Sequence, residues 1–330
     1  MPQPITNLPI GAKVKDLNTK YYGKPIIFQI IDKNHPGYPA NSVTLLTEKI
    51  ITLKAIDAKE PANPNVDRSN YGNNRYIHSN IRQWLNKDTS PWYSAQHGYD
   101  TPPSDTNVYG NHNEYEAEAG FLSNFSSELK TKLLLTTLTV AKSAVYDGGG
   151  SETVQDKIFL LSRTEVGLGD ENAVAEGTPF SIFNSNEARK AYPTAEAVSS
   201  SEYTAGGLNA SQPWQWFLRT PYTATTYSVR CLDSNGGLIA DNANVGFRGI
   251  RPALNIENTV AVSDTPDVDG AYILLFVDTQ ISVPQGSIDQ KTSADKNNIL
   301  TYSITTNGTM GTITEKINGT VINTRTSPSN

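Results

Sequence analysis

The chain has 330 residues, 37% of them hydrophobic and only 18% charged, with a formal net charge of −6. That length buries a substantial core, and the acidic balance excludes the basic face that nucleic acid or an anionic membrane would require. A lone cysteine, Cys231, excludes a disulfide framework and any zinc site built from several thiolates, and no apolar run is long enough to span a bilayer.

The opening MPQPITNLPIGAKVKDLN lacks a basic stretch followed by an apolar core, so no secretory signal is expected. The Ile-rich run KPIIFQIIDK, Lys24–Lys33, is short and bounded by glycine and proline, which predicts a buried strand. Residues 42–56, SVTLLTEKIITLKAI, are its expected partner across a turn with two prolines and a glycine. The polar section 57–74 reads as a surface loop.

A helix is predicted at SNIRQWLNK, capped by Ser79, with Ile81, Trp84 and Leu85 on one face. A second is predicted at FSSELKTKLLL, capped by Ser126, with an apolar stripe of Phe125, Leu129, Leu133 and Leu134. Residues 91–118 between them read mostly as loop. DKIFLLS (156–162) and WQWFLRT (214–220) read as central strands, the second ending at Pro221.

Tyr227, Val229 and Cys231 then alternate with Ser228, Arg230 and Leu232. Ser234-Asn235-Gly236-Gly237 supplies a hairpin turn, and 238–240 return. In GIRPALNI, Ile250, Pro252, Leu254 and Ile256 share one face. Proline donates no ladder hydrogen bond, so an edge or bulge is expected at Pro252. A boundary falls in VSDTPDVDGAY (262–272). Beyond it YILLFVDTQISV, LTYSITT, GTITEKI and TVINTRT read as short strands around Asn307-Gly308 and Asn318-Gly319 turns. Two domains are therefore expected, 1–261 and a small all-β module over 262–330, immunoglobulin- or cadherin-like, whose four or five strands barely enclose a core.

No arrangement typical of catalysis stands out. His35, His78, His97 and His112 have no metal-ligand spacing and lie beside turn residues, so loop or surface roles are expected. DGGGS (147–151) lacks the lysine and helix of a phosphate loop and reads as a hairpin tip. Glu114, Glu116 and Glu118 alternate or share the first turn of a helix. Asp264, Asp267 and Asp269 faintly echo a calcium loop without its spacing, and a metal-free turn is expected there. Cys231 reads as an inward-facing small hydrophobe. Trp214 and Trp216 read as core, whereas Tyr222, Tyr227 and Phe247 lie in or beside a soft polar segment where aromatics can anchor a partner.

The order of NIRQWLN, FSSELKTKLLLTTLTV, KIFLLSRTEVG, AYPTAEA, WQWFLRTPY, YSVRCLDSNGGL and GIRPALNI resembles a family of large C-type-lectin-like domains in bacterial and phage proteins. That family is related to the formylglycine-generating fold and is frequent in phage tail fibres. The resemblance covers about residues 5–260, and its most specific pieces are W-x-W-F-L-R-T-P and G-I-R-P-A-L-N. It implies an α+β fold: a C-type-lectin-like mixed domain with two main helices and antiparallel strands, followed by the small all-β module. Oxidases of this fold use paired active-site thiols, which one cysteine cannot supply.

Some members are variable proteins of diversity-generating retroelements, in which firm strands frame a changeable receptor-binding segment. Residues 222–248 resemble such a segment, set between WQWFLRTP and GIRPALNI. The resemblance thus implies a non-enzymatic tail-fibre protein of a virion, without cofactor or metal, that displays a diversifiable face. That face comprises Tyr222, Thr223, Thr225, Thr226, Tyr227, Arg230, Leu232, Ser234, Ile239, Asp241, Asn242, Asn244, Val245, Phe247 and Arg248. Its expected partners are a host cell-surface receptor, protein or glycan, and other tail proteins, in a homotrimer without nucleic acid or membrane insertion. The alternatives are a purely structural collar, decoration or baseplate protein and a carbohydrate-binding bacterial adhesin.

Overall fold

A computed structural model describes residues 2–204 and 206–276, together with the backbone of Thr312–Ile317 and Thr320–Thr326. The chain forms two compact units, Met1–Leu274 and Leu275–Asn330. The first unit is a mixed α+β structure, richer in strand than helix; one of its sheets curls into a half-barrel, and the largest has nine strands.

That largest sheet runs Gln3–Pro4, Ala261–Val262, Ala271–Leu275, Lys13–Tyr21, Lys24–Lys33, Ser42–Thr47, Ala253–Glu257 and Leu133–Leu134. Ile158–Phe159 also pairs with Ala253–Glu257. Lys24–Lys33 has the predicted bounds and pairs antiparallel with Ser42–Thr47, alternating buried positions as its apolar run requires. The run 42–56, however, divides: Thr52–Leu53 leaves for a second, five-stranded sheet. The expected boundary near 261 falls inside the first unit, because Ala271–Leu275 lies parallel to Lys13–Tyr21 and Lys15 reaches Asp267 and Asp269 at 2.7 and 2.6 Å. Those two carboxylates, read as a metal-free turn, thus hold a lysine. In the second unit Thr312–Ile317 and Thr320–Thr326 form the expected antiparallel hairpin, and LTYSITT lies outside the described residues.

The helices follow their caps. Ser79 Oγ accepts from Arg82 N–H to open Asn80–Asn86, which buries Ile81, Trp84 and Leu85. Ser126 opens Ser127–Lys132, but the stripe does not continue. Leu133–Leu134 become strand, because the open side of Ala253–Glu257 offers partners at Asn255 and Ile256. The DGGGS segment caps a two-stranded hairpin of Thr136–Ala141 and Ser151–Asp156. Glu114, Glu116 and Glu118 belong to neither helix nor strand, and Glu118 instead pairs with Lys54 at 2.5 Å.

Two further expectations need correction. Segment 57–74 is no surface loop. It contains the helix Val66–Tyr71, capped by Asn65, and buries Asp57, Glu60, Asn63, Arg68, Asn73 and Asn74. Asp57 accepts the backbone N–H groups of Asn73 and Asn80, and Glu60 accepts from the side chains of Asn63 and Asn73, so these two buried carboxylates are satisfied within the protein. His35 is buried too, stacked on Phe180 with its Nδ1 2.7 Å from Asp32.

Beneath the small sheet lies a charged core. Arg219 donates to both oxygens of Glu165 at 2.6 and 2.8 Å and to the carbonyls of Leu160 and Glu176. Tyr38 donates to Glu165 at 2.7 Å. Nearby, Glu176 accepts from Ala141 N–H and Thr220 Oγ1, and burial pushes its carboxyl up to about 7 against the pull of Arg219. A carboxyl raised by folding lends stability that is full below its ordinary value near 4.5 and is lost as pH rises through 7. In paired denaturation curves, the stability advantage of Glu176→Gln over the native chain should therefore widen from pH 5 to pH 8. A gap independent of pH would refute the assignment.

Candidate functional site

The five-stranded sheet runs Leu238–Asn242, Ser228–Leu232, Trp216–Pro221, Gly249–Ile250 and Thr52–Leu53. Residues 222–248 occupy its outer end. Trp216, Phe217 and Leu218 are fully buried, and the register of Trp216–Pro221 against Ser228–Leu232 slips between Phe217 and Pro221. Val229 and Cys231 point into the core, and burial pushes the Cys231 thiol up to about 12, as an inert thiol requires. At the hairpin tip, Asp233 Oδ1 accepts from the N–H groups of Asn235 and Gly237 at 2.8 Å. Gly236 has φ +80° and a Cβ there would lie 1.9 Å from the Asn186 carbonyl oxygen, so only glycine fits.

GIRPALNI is two strands. Gly249–Ile250 lies inside the small sheet, between Trp216–Pro221 and Thr52–Leu53, and Ala253–Glu257 enters the large one, with Arg251-Pro252 at the crossing where an edge or bulge was expected.

Two buried polar groups fix the 222–232 stretch. Asn74 donates to the carbonyls of Tyr222, Thr225 and Ser228 at 3.3, 3.0 and 3.0 Å. Glu171 accepts from Arg230 at 2.7 and 3.0 Å, from Arg163 at 2.8 Å, and from both the N–H and hydroxyl of Thr223. Burial alone would raise the Glu171 carboxyl, yet the hydrogen bonds from Arg230 and Arg163 hold it below the usual carboxylate value. Arg230 lies over the Tyr222 ring at 4.1 Å, so one carboxylate sets both side chains.

Ten of the fifteen predicted residues are partly exposed: Tyr222, Thr225, Tyr227, Arg230, Ser234, Ile239, Asp241, Asn242, Phe247 and Arg248. The other five, Thr223, Thr226, Leu232, Asn244 and Val245, are buried. Thr223 and Thr226 hydrogen-bond to Glu171 and Asn65, and Asn244 bridges the Tyr71 carbonyl and Tyr109 N–H. These five build the platform and do not face outward.

The surface is wider than residues 222–248. Tyr71 packs on Tyr227 at 4.9 Å between ring centres, and Arg68 lies 4.7 Å from the exposed Tyr146 ring. Tyr109, 56% exposed, contacts Phe247 at 6.3 Å, while Tyr203 stacks on Phe247 at 4.5 Å. The backbones of Tyr71, Asn244 and Tyr109 are hydrogen-bonded in series, which makes the two aromatic clusters neighbours. Arg248 pairs with Asp241 at 2.7 Å. Tyr71, Tyr109, Tyr146 and Tyr203 were missed because they lie in four distant segments. The available signal is local: Tyr71 and Tyr109 directly precede glycine, and Tyr146 and Tyr203 precede one by two and three residues, so each lies close to a break in regular structure where a ring is left near the surface.

Among the described residues, no three His, Cys, Asp or Glu side chains are arranged to hold a metal ion, and no helix is long and apolar enough to cross a membrane. None of the curated proteins or solved structures compared with the chain matches it. One family does, over residues 41–258, which hold the whole five-stranded sheet, part of the large one and the aromatic surface. The chain belongs to DUF6273, a family defined by a domain of unknown function.

Proposed function

We propose that the chain is a non-enzymatic receptor-binding protein of a phage or phage-like particle, with a C-type-lectin-like body that presents the 222–248 face to a host cell surface. The observation that carries this reading is the gathering of tyrosine and phenylalanine side chains from several separate segments on one rim, over a platform fixed by buried polar groups. Tyrosine offers large contact area and a hydroxyl at low conformational cost, which suits recognition by shape. The W-x-W-F-L-R-T-P and G-I-R-P-A-L-N motifs support the reading because they lie in the strands that frame this face. In the virion it acts as a homotrimer joined to other tail proteins, so that several modest contacts add through avidity.

The test is adsorption of the full chain to intact cells. Tyr71→Ala and Tyr227→Ala should each weaken adsorption roughly thirtyfold, as loss of a central aromatic contact of about 2 kcal/mol implies. Both side chains are partly exposed, so unfolding free energy should move by no more than about 0.5 kcal/mol. Adsorption unaffected by both substitutions, or absent from every cell type, would sink the proposal in favour of a purely structural particle component.

A further inference from the structure

A groove of about 740 Å³ opens beside Phe247 and Arg248, within the range of roughly 300–1,000 Å³ usual for small-ligand sites. Its charged lining residues are already neutralised. Lys190 pairs with Glu187 at 2.6 Å, and Arg248 pairs with Asp241. An anionic or cationic ligand therefore meets no uncompensated countercharge. What remains is neutral hydrogen-bonding capacity from Gln212, Gln215 and Asn235 beside aromatic rings. Tyr203 and Phe247 are stacked within 19° of parallel, and Trp214 is fixed beside them by its Nε1 donating to the Phe247 carbonyl at 2.8 Å. The carboxamide oxygen of Gln215 is shielded from water and has no hydrogen-bond partner, a condition that calls for a donor.

We propose that this groove binds a neutral saccharide. A sugar ring carries hydroxyl groups around its edge and C–H groups on its faces. It can therefore donate to Gln215 and rest on an aromatic wall without supplying net charge. The inference rests on the reading of 222–248 as a binding face and names the ligand class for one end of it.

The experiment uses the full chain on an immobilised panel of glucose, galactose, mannose and N-acetylglucosamine oligosaccharides, with sulfated and sialylated counterparts. Tryptophan fluorescence titration gives a second readout through Trp214. At least one neutral oligosaccharide should bind. Gln215→Ala and Tyr203→Ala should each weaken that binding tenfold or more, while Val268→Ser, on an exposed turn outside the groove, should leave it unchanged. Circular dichroism identifies a variant that fails to fold, and Gln215→Ala still decides the matter if Tyr203→Ala does. Binding to no oligosaccharide, to charged ones alone, or with equal strength in Gln215→Ala overturns the saccharide proposal. If cells are still adsorbed through Tyr71 and Tyr227 in that case, receptor binding stands and only the ligand class falls.

Discussion

Arg219→Met should destabilise the first unit by about 3–5 kcal/mol, the cost of removing one partner from a buried ion pair. Both Arg219 and Glu165 are shut off from water, and Met fills much the same volume without charge. Glu165 would keep only neutral donors, Tyr38 Oη and Ser162 N–H, the carbonyl of Leu160 would lose the Arg219 hydrogen bond, and that of Glu176 would keep only Ser162 Oγ. Because domains have only about 5–15 kcal/mol of stability, such a loss should be plain in a denaturant titration. The double substitution Arg219→Met with Glu165→Met should recover much of it, since no unpaired charge remains buried. A single variant as stable as the native chain would mean that the pair is not held as described.

Glu171→Ala should act on stability and recognition together. It strips Arg163 and Arg230 of their shared counter-charge and Thr223 of its acceptor, at a cost of about 2–3 kcal/mol, below the fully buried case because both arginines keep some solvent contact. Arg230 is then free to leave the Tyr222 ring, so adsorption should fall further than the stability loss explains when measured well below the melting temperature. Glu171→Gln keeps the shape and part of the hydrogen bonding, and should fall between. Equal adsorption by native and Glu171→Ala chains at matched folded fraction would show that Arg230 and Tyr222 do not contribute to recognition.

Elements whose chemistry is local could be read directly. Lys24–Lys33 is framed by proline and glycine, Ser79 marks a helix start, and Asn235-Gly236 marks a hairpin. Lys13–Tyr21 escaped notice because only Val14 and Tyr21 of its buried positions are apolar: Lys15, Asp16 and Thr19 are buried too, Lys15 held by the remote Asp267 and Asp269, and Asp16 and Thr19 by bonding to each other. The same cause made 57–74 look like surface. A buried asparagine and an exposed one are the same letter, and only the arrival of distant carbonyls at Asn74 distinguishes them. For the candidate site, 222–248 was visible as soft sequence between firm borders, but its inward half and the tyrosines from other loops depend on tertiary placement.

Trp216 and Gly249 are side by side in parallel strands, and the N–H of Gly249 donates to the Gln215 carbonyl at 2.8 Å. The thirty-odd residues between them therefore depart and come home to adjoining berths, a closed detour whose length never alters the gap it bridges. Outward-facing side chains on that detour can be exchanged while both berths stay put, provided that Arg219, Thr223, Gly236 and Asn244 keep the inward moorings that tie the excursion to its host.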